Sequence, residues 1–124
     1  MKKLIISCVI VFLSGCSLLI GPYDTNEYLL VTKVRTTAEL TNCDNPIQSA
    51  TSIESLYVNV TEFKNFSQYL PMNKATIDLS NKLYTLVDEL HEKESFSPAY
   101  CKIKLNMIAK SAEQIQQVVG SKPR

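Results

Sequence analysis

The chain has 124 residues, 45% of them hydrophobic and 20% charged, with only 3 Gly and 5 Pro; that suffices for one domain, is too short for two comfortable ones, and excludes disorder over most of the length. The formal net charge is +1, and Lys2 and Lys3 contribute to it at the extreme N-terminus. No basic face is therefore available to recruit nucleic acid, and the absence of Trp removes a Trp-centred ligand platform.

The chain begins Met1-Lys2-Lys3, a positive start, and continues through apolar residues 4–13. Such a run falls well short of the roughly 20 residues a membrane-spanning helix needs and matches the middle of a signal peptide. It ends in Leu13-Ser14-Gly15-Cys16, which resembles the lipobox of bacterial lipoproteins at all four positions. The resemblance implies that residues 1–15 are a signal peptide and that the Cys16 thiol is diacylglyceryl-modified. Cleavage before Cys16 then frees an amine that is acylated, as by palmitate. Loss of Lys2 and Lys3 turns the net charge from +1 to −1. Ile5-Ile6-Ser7-Cys8 is a looser match that leaves too short an apolar run after the lysines, so Cys8 reads as apolar filler discarded with the signal. The other reading of Cys16 is an accidental cysteine in an ordinary signal peptide or signal anchor. Position 17 holds Ser rather than the Asp that keeps such lipoproteins at the inner membrane. In a Gram-negative host this implies the outer membrane, with the domain facing the periplasm. Residues 16–23, which include Gly21-Pro22, read as the lipidated cysteine and a short tether.

The domain itself is expected over residues 24–120. Asp24 and Glu27 form a capping-box pattern ahead of Leu30, Val31, Val34 and Ala38 at helical spacing. This first segment, about 25–41, is rich in Thr and Val, which also suit a strand, but clean alternation is lacking and helix is preferred. Cys43-Asp44-Asn45-Pro46 signals a turn. A second helix, about 48–69, carries Ile53, Leu56, Val60 and Phe63 on one stripe, with Leu70 a heptad beyond; Pro71 ends it and keeps Leu70 out of helical conformation. Asn73 is a candidate cap for a third helix with the stripe Thr76, Leu79, Leu83, Leu86 and Leu90. A Glu89–Lys93 pair at i, i+4 would support it. Ser97 as N-cap and Pro98 at the first helical position start a fourth helix, whose stripe is Cys101, Leu105, Ile108, Ala112, Ile115 and Val119. Gly120 is expected to end it as a left-handed cap, and residues 121–124 to fray as a short basic tail.

Four amphipathic helices with short connections imply an all-α protein, a four-helix up-down bundle of about 100 residues. Two thiols in an exported domain most often pair. Cys43 follows the first helix and Cys101 sits in the first turn of the fourth, and in an up-down bundle those points share one end. A redox or metal role has little support, since there is no C-x-x-C motif and His91 is the only histidine.

No set of residues spells out a reaction: no G-x-S-x-G is present, and no second histidine activates a nucleophile. His91, with Asp88 three residues before it and Glu92 beside it, is read as a solvated histidine near a helix end rather than an acid-base or metal group. Asp88, Glu89, Glu92 and Glu94 form an acidic patch, read as a solvated face with docking of a basic partner as the alternative. Tyr57, Phe66 and Tyr69 on the second helix are candidate partner-binding residues that could line a groove for an amphipathic helix or apolar ligand; otherwise they widen a buried face. No cofactor and no metal are expected.

The plan of lipobox, four helices and a bridge from Cys43 to Cys101 resembles the small pilotin-type lipoproteins of secretion systems. The resemblance implies a non-enzymatic adaptor that grips a helical segment of an envelope protein and carries it to the outer membrane. The groove would then involve the second and third helices. A phage- or plasmid-encoded exclusion lipoprotein, blocking an outer-membrane protein from the periplasmic side, is the alternative from another class.

Overall fold

A computed structural model describes residues 20–124; Cys16 and the signal peptide lie outside the described residues. The fold is four α-helices: α1 (Thr25–Leu40), α2 (Pro46–Tyr69), α3 (Lys74–His91) and α4 (Pro98–Gly120). Each helix packs on two neighbours, α1 on α2 and α4, α3 on α2 and α4, and the diagonal pairs do not meet. This is the up-down bundle that short connections enforce. The core runs along its axis through Val31, Val34, Leu56, Val60, Phe63, Leu83, Val87, Ile108 and Ile115.

Local chemistry explains each helix. In α1 the hydroxyls of Thr32 and Thr37, and that of Thr41 just past its end, donate to the carbonyls of Tyr28, Lys33 and Thr37, four residues back. Threonines that favour strand elsewhere are thereby satisfied within the helix. α2 begins two residues earlier than its apolar stripe suggests. Asn45 Oδ1 accepts from the N–H groups of Ile47 and Gln48, both at 3.1 Å, and Pro46 takes the first helical position. Leu70 leaves the helix with φ −80° and ψ 139°, as its place before Pro71 requires. α4 starts as expected, with Ser97 Oγ accepting from the Tyr100 N–H at 3.1 Å, and its whole expected stripe is buried.

The bundle has two distinct poles. At one, Cys43 in the α1–α2 loop is joined to Cys101 in the first turn of α4, their Cα atoms 5.8 Å apart; the α3–α4 loop lies at this pole too. At the other, the chain enters α1, turns from α2 into α3, and leaves α4. The length of α2, 24 residues, separates the poles by about 36 Å at 1.5 Å per residue.

Several expectations are corrected at the second pole. Glu27 does not complete a capping box. Its N–H bonds Asp24 Oδ1 at 3.0 Å, but its fully buried carboxylate accepts from Lys122 Nζ at 2.7 Å and from Asn73 Nδ2 at 2.6 Å. Asn73 stands at the N-cap of α3 without a side-chain cap bond. Its amide instead donates to Glu27 and the Ser67 carbonyl, and its Oδ1 accepts from Lys122. Gly120 is the last helical residue and has no positive φ; its missing Cβ leaves room for the Tyr28 ring. The residues after it do not fray. Lys122 is 7% exposed, Tyr23 N–H donates to the Pro123 carbonyl at 2.8 Å, and the Arg124 guanidinium lies 4.4 Å above the Tyr23 ring centroid.

Two further differences concern α3. Its buried face is Thr76, Ser80, Leu83, Val87 and Leu90, with Leu79 and Leu86 half-buried on one flank. The axis of burial thus runs between the leucines because α3 is shared by two neighbours. The Glu89–Lys93 pair does not form. Glu89 binds Lys104 of α4 at 3.3 Å, and Lys93 sits 4.5 Å above the Tyr100 ring centroid.

Candidate functional site

At the disulfide pole the first turns of α2, the end of α3 and the loop after α3 surround a gap. They leave an open cleft of about 460 Å³. Its floor is apolar, made by buried Ile53 and Leu90 with Ala50 and Phe96 on the sides. Glu54, His91, Lys93 and Glu94 stand among its walls. The six residues after His91, 92–97, connect α3 to α4 without helix, and Phe96 of that loop folds back against the core and lines the cleft.

His91 does not stand free in solvent as read from the sequence. Its ring stacks on Tyr57, centroids 4.1 Å apart and planes within 8°, and its Nε2 donates to Glu54 Oε2 at 2.6 Å. Both partners come from α2, so the neighbours Asp88 and Glu92 on its own helix are not what fixes it. Tyr57 in turn shares a hydrogen bond of 3.0 Å with the Tyr84 hydroxyl, and Lys64 Nζ lies 4.2 Å over the Tyr84 ring. The hydrogen bond to Tyr57 holds the Tyr84 proton, with burial and the carboxylates of Asp88 and Glu92 adding to it, and the phenol is pushed up to about 12. The result is a rigid wall of stacked and hydrogen-bonded rings along the α2–α3 seam, ending at the cleft.

The structure does not bring the three candidate aromatics into one groove. Tyr57 faces α3 through Tyr84. Phe66 follows nine residues later, about 180° around α2, and is half-buried on the opposite flank. Tyr69 is 85% exposed in the last turn of α2, at the far pole. Sequence reading missed the cleft residues Ala50, Ile53, Leu90 and Phe96. Ile53 and Leu90 were assigned to core stripes, and nothing in helical periodicity marks where two stripes part. The one available signal was Phe96 inside a Ser-rich break, an aromatic residue with no stripe to join.

Charge at the cleft is mainly acidic. Asp44 binds Lys102 at 3.0 Å and Glu54 binds His91, while Glu94 makes no ion pair among the described residues. Among the described residues no three His, Cys, Asp or Glu side chains are placed to hold a metal ion, and no helix is long and apolar enough to cross a membrane. What the arrangement offers chemically is an apolar seat beside carboxylates, which suits an apolar side chain carried next to a basic one. No family model, characterised protein or solved structure matches the chain.

Proposed function

We propose that the protein is a lipid-anchored adaptor of the bacterial envelope, held to the outer membrane through Cys16 and gripping a segment of an envelope protein in the cleft at its disulfide pole. The mode is pilotin-like in kind: the client is a short helical or extended segment, and no bond is made or broken. One observation carries this reading. The apolar cleft lies at the pole opposite the one where the chain enters α1, so a domain anchored by its N-terminus presents the cleft away from its membrane. The client segment seats an apolar side chain on Ala50, Ile53 and Phe96, and a basic side chain beside Glu54 and Glu94.

Crosslinking in intact envelopes tests it. Lys93, which lines the cleft, serves as the crosslinking amine, and Ala50→Arg fills the cleft from an exposed position on α2. The expected result is one dominant envelope protein crosslinked to Lys93 in the parent protein, with that crosslink lost in Ala50→Arg. A crosslink unaffected by Ala50→Arg, or none at Lys93, overturns the cleft as the client site.

A further inference from the structure

The pole opposite the cleft carries exposed apolar side chains of its own. Tyr69 at the end of α2 is 85% exposed, Ile20 before α1 is 55% exposed, and Met72 in the α2–α3 turn is 54% exposed. They form one neighbourhood, because the Gly21 N–H donates to the Met72 carbonyl at 3.0 Å and Tyr69 lies three residues before Met72. Gly21 is fitted to this contact: a Cβ there would stand 2.5 Å from the Pro71 carbonyl oxygen. Met72 itself has φ 51°. That is the left-handed region in which Gly or Asn is the low-cost choice, yet the position holds a long apolar side chain pointing outward.

The chain outside the described residues says what this pole meets. Gly21 is bonded to the bundle, and Cys16 is five residues before it. At no more than about 3.5 Å per residue, those five cannot hold the pole more than about 18 Å from an anchored cysteine. Resting on the reading of Cys16 as a lipid anchor, we infer that this pole is a membrane-seating surface, with Ile20, Tyr69 and Met72 inserted at the interface of the bilayer that holds the anchor. The contact is mainly apolar, with the exposed Arg124 guanidinium, stacked over the Tyr23 ring, as the one cation there not engaged by a carboxylate among the described residues. The exposed Lys74 at this pole is already paired with Asp78 at 3.1 Å, and Lys122 is buried against Glu27. A tyrosine, with an apolar body and a polar tip, suits the headgroup level. The seating sets the bundle axis along the membrane normal, so that the cleft at the opposite pole points away from the bilayer instead of sweeping freely on a tether.

The test uses the full-length lipidated protein reconstituted into phosphatidylethanolamine–phosphatidylglycerol vesicles containing lipids brominated near the headgroup end of the acyl chain. The chain contains no Trp, so Tyr69→Trp, Met72→Trp and, at the disulfide pole, Ile47→Trp each give a single fluorescent reporter at an exposed position. Mass spectrometry of the N-terminal peptide reads the acyl chains on Cys16 in the same samples. The inference expects emission from positions 69 and 72 to be quenched and shifted to shorter wavelength, while position 47 keeps the emission of a water-exposed indole. If Cys16 is acylated but positions 69 and 72 are unquenched, or position 47 is quenched equally, the seating is overturned and the anchor stands. If Cys16 carries no acyl chain, the anchor reading and the seating fall together. A shift at position 69 that grows with protein concentration in lipid-free detergent identifies a second copy as the occupant, which also overturns the inference.

Discussion

Lys122 sits where a lysine is seldom found, nearly enclosed by protein and held by Glu27 and Asn73. Its contribution is conditional on its partner, since breaking a buried pair strands a charge whereas removing both ends of it does not. Lys122→Met should therefore lower the urea midpoint by the equivalent of about 3 kcal/mol, and Glu27→Gln combined with Lys122→Met should recover most of the loss. Equal losses in the single and double variants would show that packing, not charge, is what Lys122 supplies. Tyr84 makes a second prediction at this scale. The unfolded chain gives up the phenolic proton near the ordinary value of 10.0, and the folded chain only near about 12. Between these values the unfolded state binds fewer protons, so stability falls as pH rises through that window, and the contribution is complete below it. Absorbance titration should show one late-ionising tyrosine that returns toward the ordinary range in Tyr57→Phe, because the hydrogen bond that Tyr84 donates to Tyr57 is the main cause of the shift.

Among the elements, the connection between α1 and α4 bears most directly on stability. The disulfide closes a loop of sequence separation 58, and confining that loop in the unfolded chain contributes up to about 4 kcal/mol. Replacing Cys43 and Cys101 by Ala should lower Tm by roughly 15–25 °C for a domain of this size, measured by circular dichroism, with the helices retained at low temperature. Four helices and the bridge were legible in the chain because heptad-like stripes, Ser97-Pro98 and the two cysteines all speak of local or end-to-end placement. The Asn45-Pro46 start of α2 carries the same signature as Ser97-Pro98 but reads as a turn in the sequence, since no apolar residue of the stripe follows until Ile53. The Glu27–Lys122–Asn73 cluster was not legible. It joins three residues far apart in sequence, each of a type that composition assigns to the surface. The cleft escaped for a related reason: periodicity reports which face of a helix is apolar, not where two such faces diverge. Tyr57 stands out in the sequence for its aromatic ring, but the ring stacks on His91, which lies 34 positions on and offers no periodic sign.

On the scale of the whole molecule, the proposed membrane attachment rests on one cysteine beyond the described residues, Cys16. Cys16→Ala in the full-length chain should move the protein from the membrane to the soluble fraction on cell fractionation. Acyl chains bound at about 0.8 kcal/mol per buried methylene dominate membrane affinity, and the apolar pole alone is too small to replace them. Retention of Cys16→Ala at the membrane would mean that a protein partner or an uncleaved signal holds it there.

The hydrogen bond between Tyr23 and Pro123 has a topological meaning as well as an energetic one. It brings the two ends of the folded chain side by side, and α4 already packs along α1. A short linker from Arg124 to Ile20 would make the four helices a covalent circle, and reopening it in the loop between α3 and α4 would give the order α4-α1-α2-α3 with every neighbour unchanged. Such a circular permutant keeps the disulfide and moves both new ends to the pole that carries the cleft, so a cargo fused there would sit at the opposite end of the bundle from one fused to the present ends.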